Sequence, residues 1–403
     1  MRVLLQFVLG STLLFTLEAF CGAIGGGNVS PDLMFDPAAF AIQTSATVAR
    51  ASRPIFGEDR ISTTNASYRL STKFSLGKHG ACVADYWQPW GGRTKRDPTW
   101  RGVAHTFESK IDTQGYGLLC GSRLNLRHRR FRILGGVVYH NFSGYEYNIG
   151  ADPAALASAG FQGTGIRRVE VDNGHGWGWR LGIAYEIPRT AFRISVMYDS
   201  AINISGITGV ADMTGLPSLL NPANRFYGAR TPIHGEIRMP DSVELKVQTG
   251  VTPNTLVFGG VKWTDWSKLE SLYLCEVSRG GCASTRPDYV MALNFMYRDG
   301  LIARVGAGYK FSDRLNGLMS LTWDRGTSIG YGTAVDTWAL TPTIALKPSG
   351  NIGINISGIF GMSESGKSSA VRASDGRMVG ANDVYTFGRG FFAGMQINMI
   401  IYL

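Results

Sequence analysis

Counting back from the C-terminus, Leu403, Ile401, Met399, Ile397, Met395, Ala393 and Phe391 fall on one face of an extended chain. Tyr402, Ile400, Asn398, Gln396 and Gly394 fall on the other. Successive side chains of a β-strand point to opposite sides, so an apolar face against a mostly polar one at period two predicts a strand. The pattern recurs. Leu181, Ile183, Tyr185 and Ile187 alternate with Arg180, Gly182, Ala184 and Glu186, and Phe192, Ile194, Val196 and Tyr198 alternate with Arg193, Ser195, Met197 and Asp199. Only Pro188 to Ala191 separates these two runs, which predicts a tight turn. The same strand, short turn, strand unit is read at 243–251 with 255–266, at 301–311 with 317–323, and at 338–346 with 352–360.

The remaining connections read as long, at 89–114, 143–175, 205–239, 267–299 and 362–385, with shorter ones near 53–60 and 326–335. Less regular strands at 40–52, 61–76, 81–88, 115–126 and 131–142 bring the expected total to 14, an even number that returns the chain to its starting side. Short turns alternating with long loops are the pattern of an outer-membrane barrel. Lipid offers no hydrogen-bond partners, so a spanning sheet must close on itself. A soluble β-sandwich has strands of about 5 to 6 residues, shorter than these runs. Trp177, Trp179, Trp263, Trp266, Trp323 and Trp338 lie near strand ends, where interfacial girdles form. The predicted fold is all-β, a 14-stranded antiparallel transmembrane β-barrel.

The N-terminus narrows the compartment. Met1-Arg2 precedes an apolar stretch over 3–17 and then small residues through Ala23, which reads as a signal peptide over 1–23. Among 403 residues 44% are hydrophobic, 17% are charged and 52 are Gly, which excludes a disordered chain or a charged coiled coil. The net charge of +10 suits a solvated lumen or an acidic membrane surface. Its one dense cluster, Arg127 to Arg130, falls in an expected periplasmic turn, and no nucleic-acid partner is expected. Cys275 and Cys282 flank Arg279-Gly280-Gly281 and form a candidate disulfide, with pairing of Cys82 and Cys120 left open. The histidines and cysteines show no paired short-spaced metal-ligand pattern, and no enzyme, cofactor or metal is expected.

Several blocks resemble one family. Trp179-Arg180-Leu181-Gly182-Ile183-Ala184-Tyr185-Glu186-Ile187-Pro188 is similar to a strand-and-turn signature of the FadL-type long-chain fatty-acid transport proteins of Gram-negative outer membranes. So are the run from Met239-Pro240-Asp241-Ser242-Val243 through Gln248-Thr249-Gly250 to Trp263-Thr264-Asp265-Trp266-Ser267, and Trp323-Asp324-Arg325-Gly326-Thr327-Ser328. The resemblance implies an outer-membrane barrel over 40–403 whose N-terminal segment, here a short one over 24–39, folds inward as a hatch. Asp36-Pro37-Ala38 stands where the family carries Asn-Pro-Ala, and Leu403 where an aromatic residue commonly ends a barrel. It further implies passive uptake of long-chain fatty acids or other hydrophobic compounds, captured by outer loops and released sideways through a gap in the wall. The implied surroundings are outer membrane lipids, lipopolysaccharide and the barrel assembly machinery, with the chain acting as a monomer.

Each part has candidates. Leu216, Leu219, Leu220, Phe226 and Tyr227 make an unusually apolar loop, suited either to ligand capture or to packing on the barrel rim. Pro89, Gly91 and Gly92 interrupt a strand, because Pro lacks a ladder donor and Gly bends freely, and mark a candidate lateral gap. Arg180, Arg193, Lys246 and Arg304 point to the lumen, where they either meet a carboxylate ligand or satisfy Glu186, Asp199 and Glu244. A general diffusion porin and a surface adhesin barrel are the alternative readings.

Overall fold

The computed structural model describes residues 31–55, 59–95, 106–277, 281–381 and 384–403; the expected signal segment and residues 24–30 of the expected hatch lie outside them. The strands are β1 (Phe40–Ile55), β2 (Asp59–Leu76), β3 (Gly80–Trp87 continued by Gly91–Lys95), β4 (Thr106–Leu126), β5 (Arg129–Ile149), β6 (Ile166–Ile187) and β7 (Phe192–Asp199 with Ile202–Asp212). They continue as β8 (Arg230–Met239 with Ser242–Gly250), β9 (Thr255–Thr264 with Ser271–Glu276), β10 (Tyr289–Asn294 with Gly300–Lys310) and β11 (Leu315–Arg325). The last are β12 (Thr337–Ser349), β13 (Ile352–Ser363 with Gly366–Ser368) and β14 (Tyr385–Phe387 with Gly390–Tyr402). Each pairs antiparallel with its neighbour, and β14 closes on β1 from Ala41↔Tyr402 to Ser52↔Phe391, giving a closed 14-strand barrel.

Toward the short turns the apolar face points out and the polar face in. Ile133, Ile183 and Ile397 are 70%, 62% and 43% exposed on the outer surface, where lipid covers them, while Arg132, Glu186, Gln396 and Asn398 are buried inside. Inside that half lies residue 31–36. Pro31–Phe35 forms a short 3-10 helix whose Leu33, Met34 and Phe35 pack on Ala81, Val83, Leu119, Leu134, Ala184, Met197 and Ile400.

The long connections expected from the sequence are shorter than their expected bounds. β4 and β5 run on through 106–114 and 143–149, β6 begins at Ile166, β7 reaches Asp212 and β8 begins at Arg230. Further strand pieces, Ser271–Glu276 and Tyr289–Asn294, occupy the expected 267–299 loop. The reason is an inversion. In the lower part of β7 Ile194 faces out and Arg193 in, but beyond Ser200-Ala201 the buried residues are Ile202 and Ile204, with Asn203 and Ser205 exposed. β8 does the same across Pro240-Asp241: Ile233, Ile237 and Met239 are buried above the break, Lys246 and Gln248 below it. Inserting or skipping one residue flips every following side chain to the other face. An apolar-outward signature therefore stops where the strands leave the lipid band.

Both cysteine pairs are joined. Cys275–Cys282 closes the candidate loop, and Cys82–Cys120 links directly opposite positions of β3 and β4, Cα atoms 4.0 Å apart.

Candidate functional site

The break in β3 begins with Pro89. Trp87 pairs with Gly115 and Gly91 with Asp112, so three β3 residues face two on β4, a bulge. Thr113 bridges it: its Oγ1 accepts from Trp90 N at 2.9 Å and its hydroxyl donates to Trp90 O. The edge toward β2 is different. Pairing there runs from Leu76↔Gly80 to Leu70↔Tyr86 and resumes only at Ser62↔Lys95. Residues 63–69 of β2 stay paired to β1, from Thr63↔Ala51 to Arg69↔Ser45, so β2 does not move aside. The wall thus has an opening on one edge of β3 alone, crossed by side chains: Gln88 Oε1 accepts from Tyr68 N at 3.4 Å and Asn65 Oδ1 from Arg93 N at 3.1 Å.

An unpaired ladder in hydrocarbon costs several kcal/mol for each group. This opening avoids that by its height. Its lower edge lies at a row of outward rings, Tyr68, Tyr86, Tyr116, Tyr139 and Trp177, with successive centroids 5.8, 5.2, 6.4 and 4.9 Å apart. Such belts sit at headgroup level. Above the row the outer wall is charged, with Arg93 2.9 Å from Glu108 and Lys110 2.6 Å from Asp112.

Behind the opening is a cavity of about 470 Å³. Thr63 and Asn65 on one edge and Gly91 and Gly92 on the other line it, and Phe142, Val171, Leu293 and Phe295 form its apolar side. It adjoins the apolar cluster of the upper interior, which includes Trp87, Val138, Phe142, Ile204, Ile207, Met213 and Ile233.

The predicted loop residues divide. Leu216 and Phe226 are buried and Tyr227 packs on the cluster, whereas Leu219 is 73% and Leu220 39% exposed. At the far side another loop lies over the β9–β10 connection through Asp375. Ser284 Oγ and Tyr273 Oη donate to Asp375 Oδ2 at 2.6 and 3.0 Å, and Arg377 Nε does so at 2.6 Å. Burial alone would raise the Asp375 carboxyl, but the hydrogen bonds from Ser284, Arg377 and Tyr273 outweigh it and hold the group below the usual carboxylate range.

The lumen cations lie below the cavity and are engaged. Arg180 pairs with Asp199, Arg193 donates to Gln248 at 2.8 Å and stacks 4.2 Å over Phe35, and Arg304 donates to Thr322 at 3.0 Å. Lys246 lies 3.4 Å from both Asp32 and Glu244. Two further lumen cations were missed in the sequence. Arg132 donates to Glu186 and to Met34 O, both at 2.8 Å, and Lys73 donates to Asp36 O and, at 2.8 Å, to Ala38 O. Both occupy the polar face of a period-two strand, which is the signal they offered. Asp36-Pro37-Ala38 is shaped locally, Asp36 Oδ1 accepting from Ala38 N at 2.8 Å. His140, also missed, lies between Trp87 and Trp90.

Comparison with known proteins places this architecture. The family profile described as outer membrane protein transport protein (OMPP1/FadL/TodX) matches residues 61–317. The fold is similar to that of a Pseudomonas aeruginosa FadL homologue (TM-score 0.73, 14% identity, 92% of each chain covered). It is also similar to the Pseudomonas putida toluene transporter TodX (TM-score 0.61, 15% identity, 97% of this chain and 100% of that one). The Ralstonia pickettii toluene transporter TbuX gives a TM-score of 0.60 at 15% identity, over 97% and 100% of the two chains. No curated protein sequence matches the chain.

Proposed function

The chain belongs to the OMPP1/FadL/TodX family of outer membrane transport proteins, channels for hydrophobic compounds and not enzymes, and from that premise we propose a route and a cargo. The cargo is a long-chain fatty acid or a hydrophobic compound of similar size. It lands on Leu219 and Leu220, enters the apolar upper interior, and leaves sideways between β2 and β3 at the level of the outer headgroups. The observation that carries this reading is the one-sided opening with a cavity reaching both its edges. The plug supports it. The segment 31–38, held by Arg132, Lys73 and Lys246, lies in the turn-side lumen, across a straight passage. With those cations on the plug, a cargo carboxylate finds no anchor among them in this state.

A general porin wants a polar, open lumen, and an adhesin needs no interior chamber; the apolar upper interior favours neither. The test locks the seam. A paired Asn65→Cys and Arg93→Cys variant, oxidised in cells without other fatty-acid importers, should take up labelled oleate at least about tenfold more slowly than the same variant reduced, with wild type unaffected by oxidant. Unchanged uptake in the locked form refutes lateral release. Passage of sugars into liposomes by wild type would replace the reading with a porin.

A further inference from the structure

Deep in the apolar cluster of the upper interior sits a polar group, His140. Trp87 and Trp90 flank the break in β3, and the His140 ring on β5 lies edge-on to both, with centroids 5.4 and 4.6 Å away. His140 is 4% exposed and Trp87 5%, among Val138, Phe142 and Ile202. Three ring nitrogens here, Trp87 Nε1 and His140 Nδ1 and Nε2, have no hydrogen-bond partner among the described residues. Buried polar atoms are nearly always paired, and each exception calls for a cause.

The surrounding wall is built for this cluster. A Cβ on Gly115 would come within 2.8 Å of the Trp87 indole, and one on Gly117 within 3.2 Å, so β4 is bare where the indole crosses it. Phe142, two residues along the same face of β5, and Gly91, next to Trp90, line the cavity. Trp87 and His140 do not line the cavity themselves but lie next to residues of their own strands that do.

We propose that Trp87 and His140 form a subsite for the uncharged hydroxyl group of a hydrophobic cargo, an alcohol or a phenol. The proposal rests on the transport reading and concerns the uncharged members of its cargo class. A hydroxyl both donates and accepts, so it accepts from the indole N–H and donates to the bare imidazole nitrogen, and a neutral imidazole has one of each kind. A hydrocarbon satisfies neither group. A carboxylate cannot donate and brings a charge into an apolar cluster, where Arg180, further toward the turns, is already paired with Asp199.

The experiment is equilibrium dialysis of the full-length protein in detergent against 1-naphthol and naphthalene, each corrected for partition into empty micelles. Wild type should hold the naphthol at least about tenfold more tightly, since a site built around a hydroxyl discriminates strongly against its absence. His140→Phe should bring the ratio to about one while leaving naphthalene binding within about twofold. Trp87→Phe, which keeps a ring over Gly115, should lower the ratio by a smaller factor, and it decides the matter if His140→Phe fails to give the heat-shifted mobility of a folded barrel. A ratio near one in wild type, as a trapped water satisfying these nitrogens would produce, overturns the subsite. So does a ratio unchanged in both variants. In either case continued naphthalene binding leaves the transport reading standing, whereas binding of neither probe overturns both.

Discussion

The two halves of the barrel interior are opposites. The turn half is ionic, with Arg132, Glu186, Arg193 and Lys246 gathered around the 31–36 segment and its Asp32, and it is wrapped outside by Ile133, Ile183 and Leu181. The loop half is apolar inside, around Ile204, Ile233 and Leu274, and charged outside at Arg93, Glu108 and Lys110. The same strands build both. What changes is the medium outside the wall: lipid tolerates only apolar outward groups, so polar groups turn inward there, whereas strands standing above the headgroups can put their apolar side into the lumen. A chamber for hydrophobic cargo is thereby available only above the lipid band, and the opening in β3 lies at that boundary.

The sharpest test of the contrast removes the ionic anchor of the 31–36 segment. Arg132→Met leaves Glu186 and the Met34 carbonyl without their shared donor, and loss of one partner of a buried pair costs about 3–5 kcal/mol. The expected outcome is a large drop in the denaturant midpoint together with new ion conductance in planar bilayers. A variant with wild-type midpoint and conductance breaks the picture of an ionic lower half.

Smaller in effect is a matched pair in one loop. Leu216→Ala empties a fully buried position and should destabilise the loop by about 2–5 kcal/mol, read as faster proteolysis of that loop alone. Leu219→Ala, at an exposed site, should stay within about 0.5 kcal/mol in the same assay while weakening capture of oleate. Equal proteolysis rates would show that the loop does not belong to the apolar interior.

The least effect concerns the cover of the upper half. A carboxyl held below its usual value contributes stability that is complete above the unfolded value, about 3.9, and is lost only as pH falls through the lower folded one. Hydrogen-exchange protection over 371–379 should therefore stay flat from neutral pH down to about pH 4 and weaken below it. Asp375→Asn should remove that acid dependence; a protection already falling near pH 6 would place the control in another group.

Much of this was readable in the chain. The strand total and the tight turns followed from alternation below the aromatic row, as in 180–187 and 192–199, where lipid enforces the rule. Pro89, Gly91 and Gly92 were legible as an interruption because their backbone chemistry is local. The upper strands at 205–212 and 230–239 were read as loop because their phase inverts, and period two carries no label for which face is outside. The lumen cations were found, but their attachment to the 31–36 segment was not: Arg132 and Met34 are separated by four strands. Trp87 and His140 had no shared signal either, since they meet only across the lumen side of β3, β4 and β5.

By itself, then, the amino-acid sequence determined that this chain is a closed transmembrane barrel, because spacing two apart and the demand for paired backbone in lipid act along each strand and between neighbours. Tertiary structure alone decided where the wall opens, what the lumen charges hold and which polar atoms are left waiting in the apolar chamber. Those depend on how strands far apart in the chain are staggered around the barrel, a distance relation that no run of residues encodes locally.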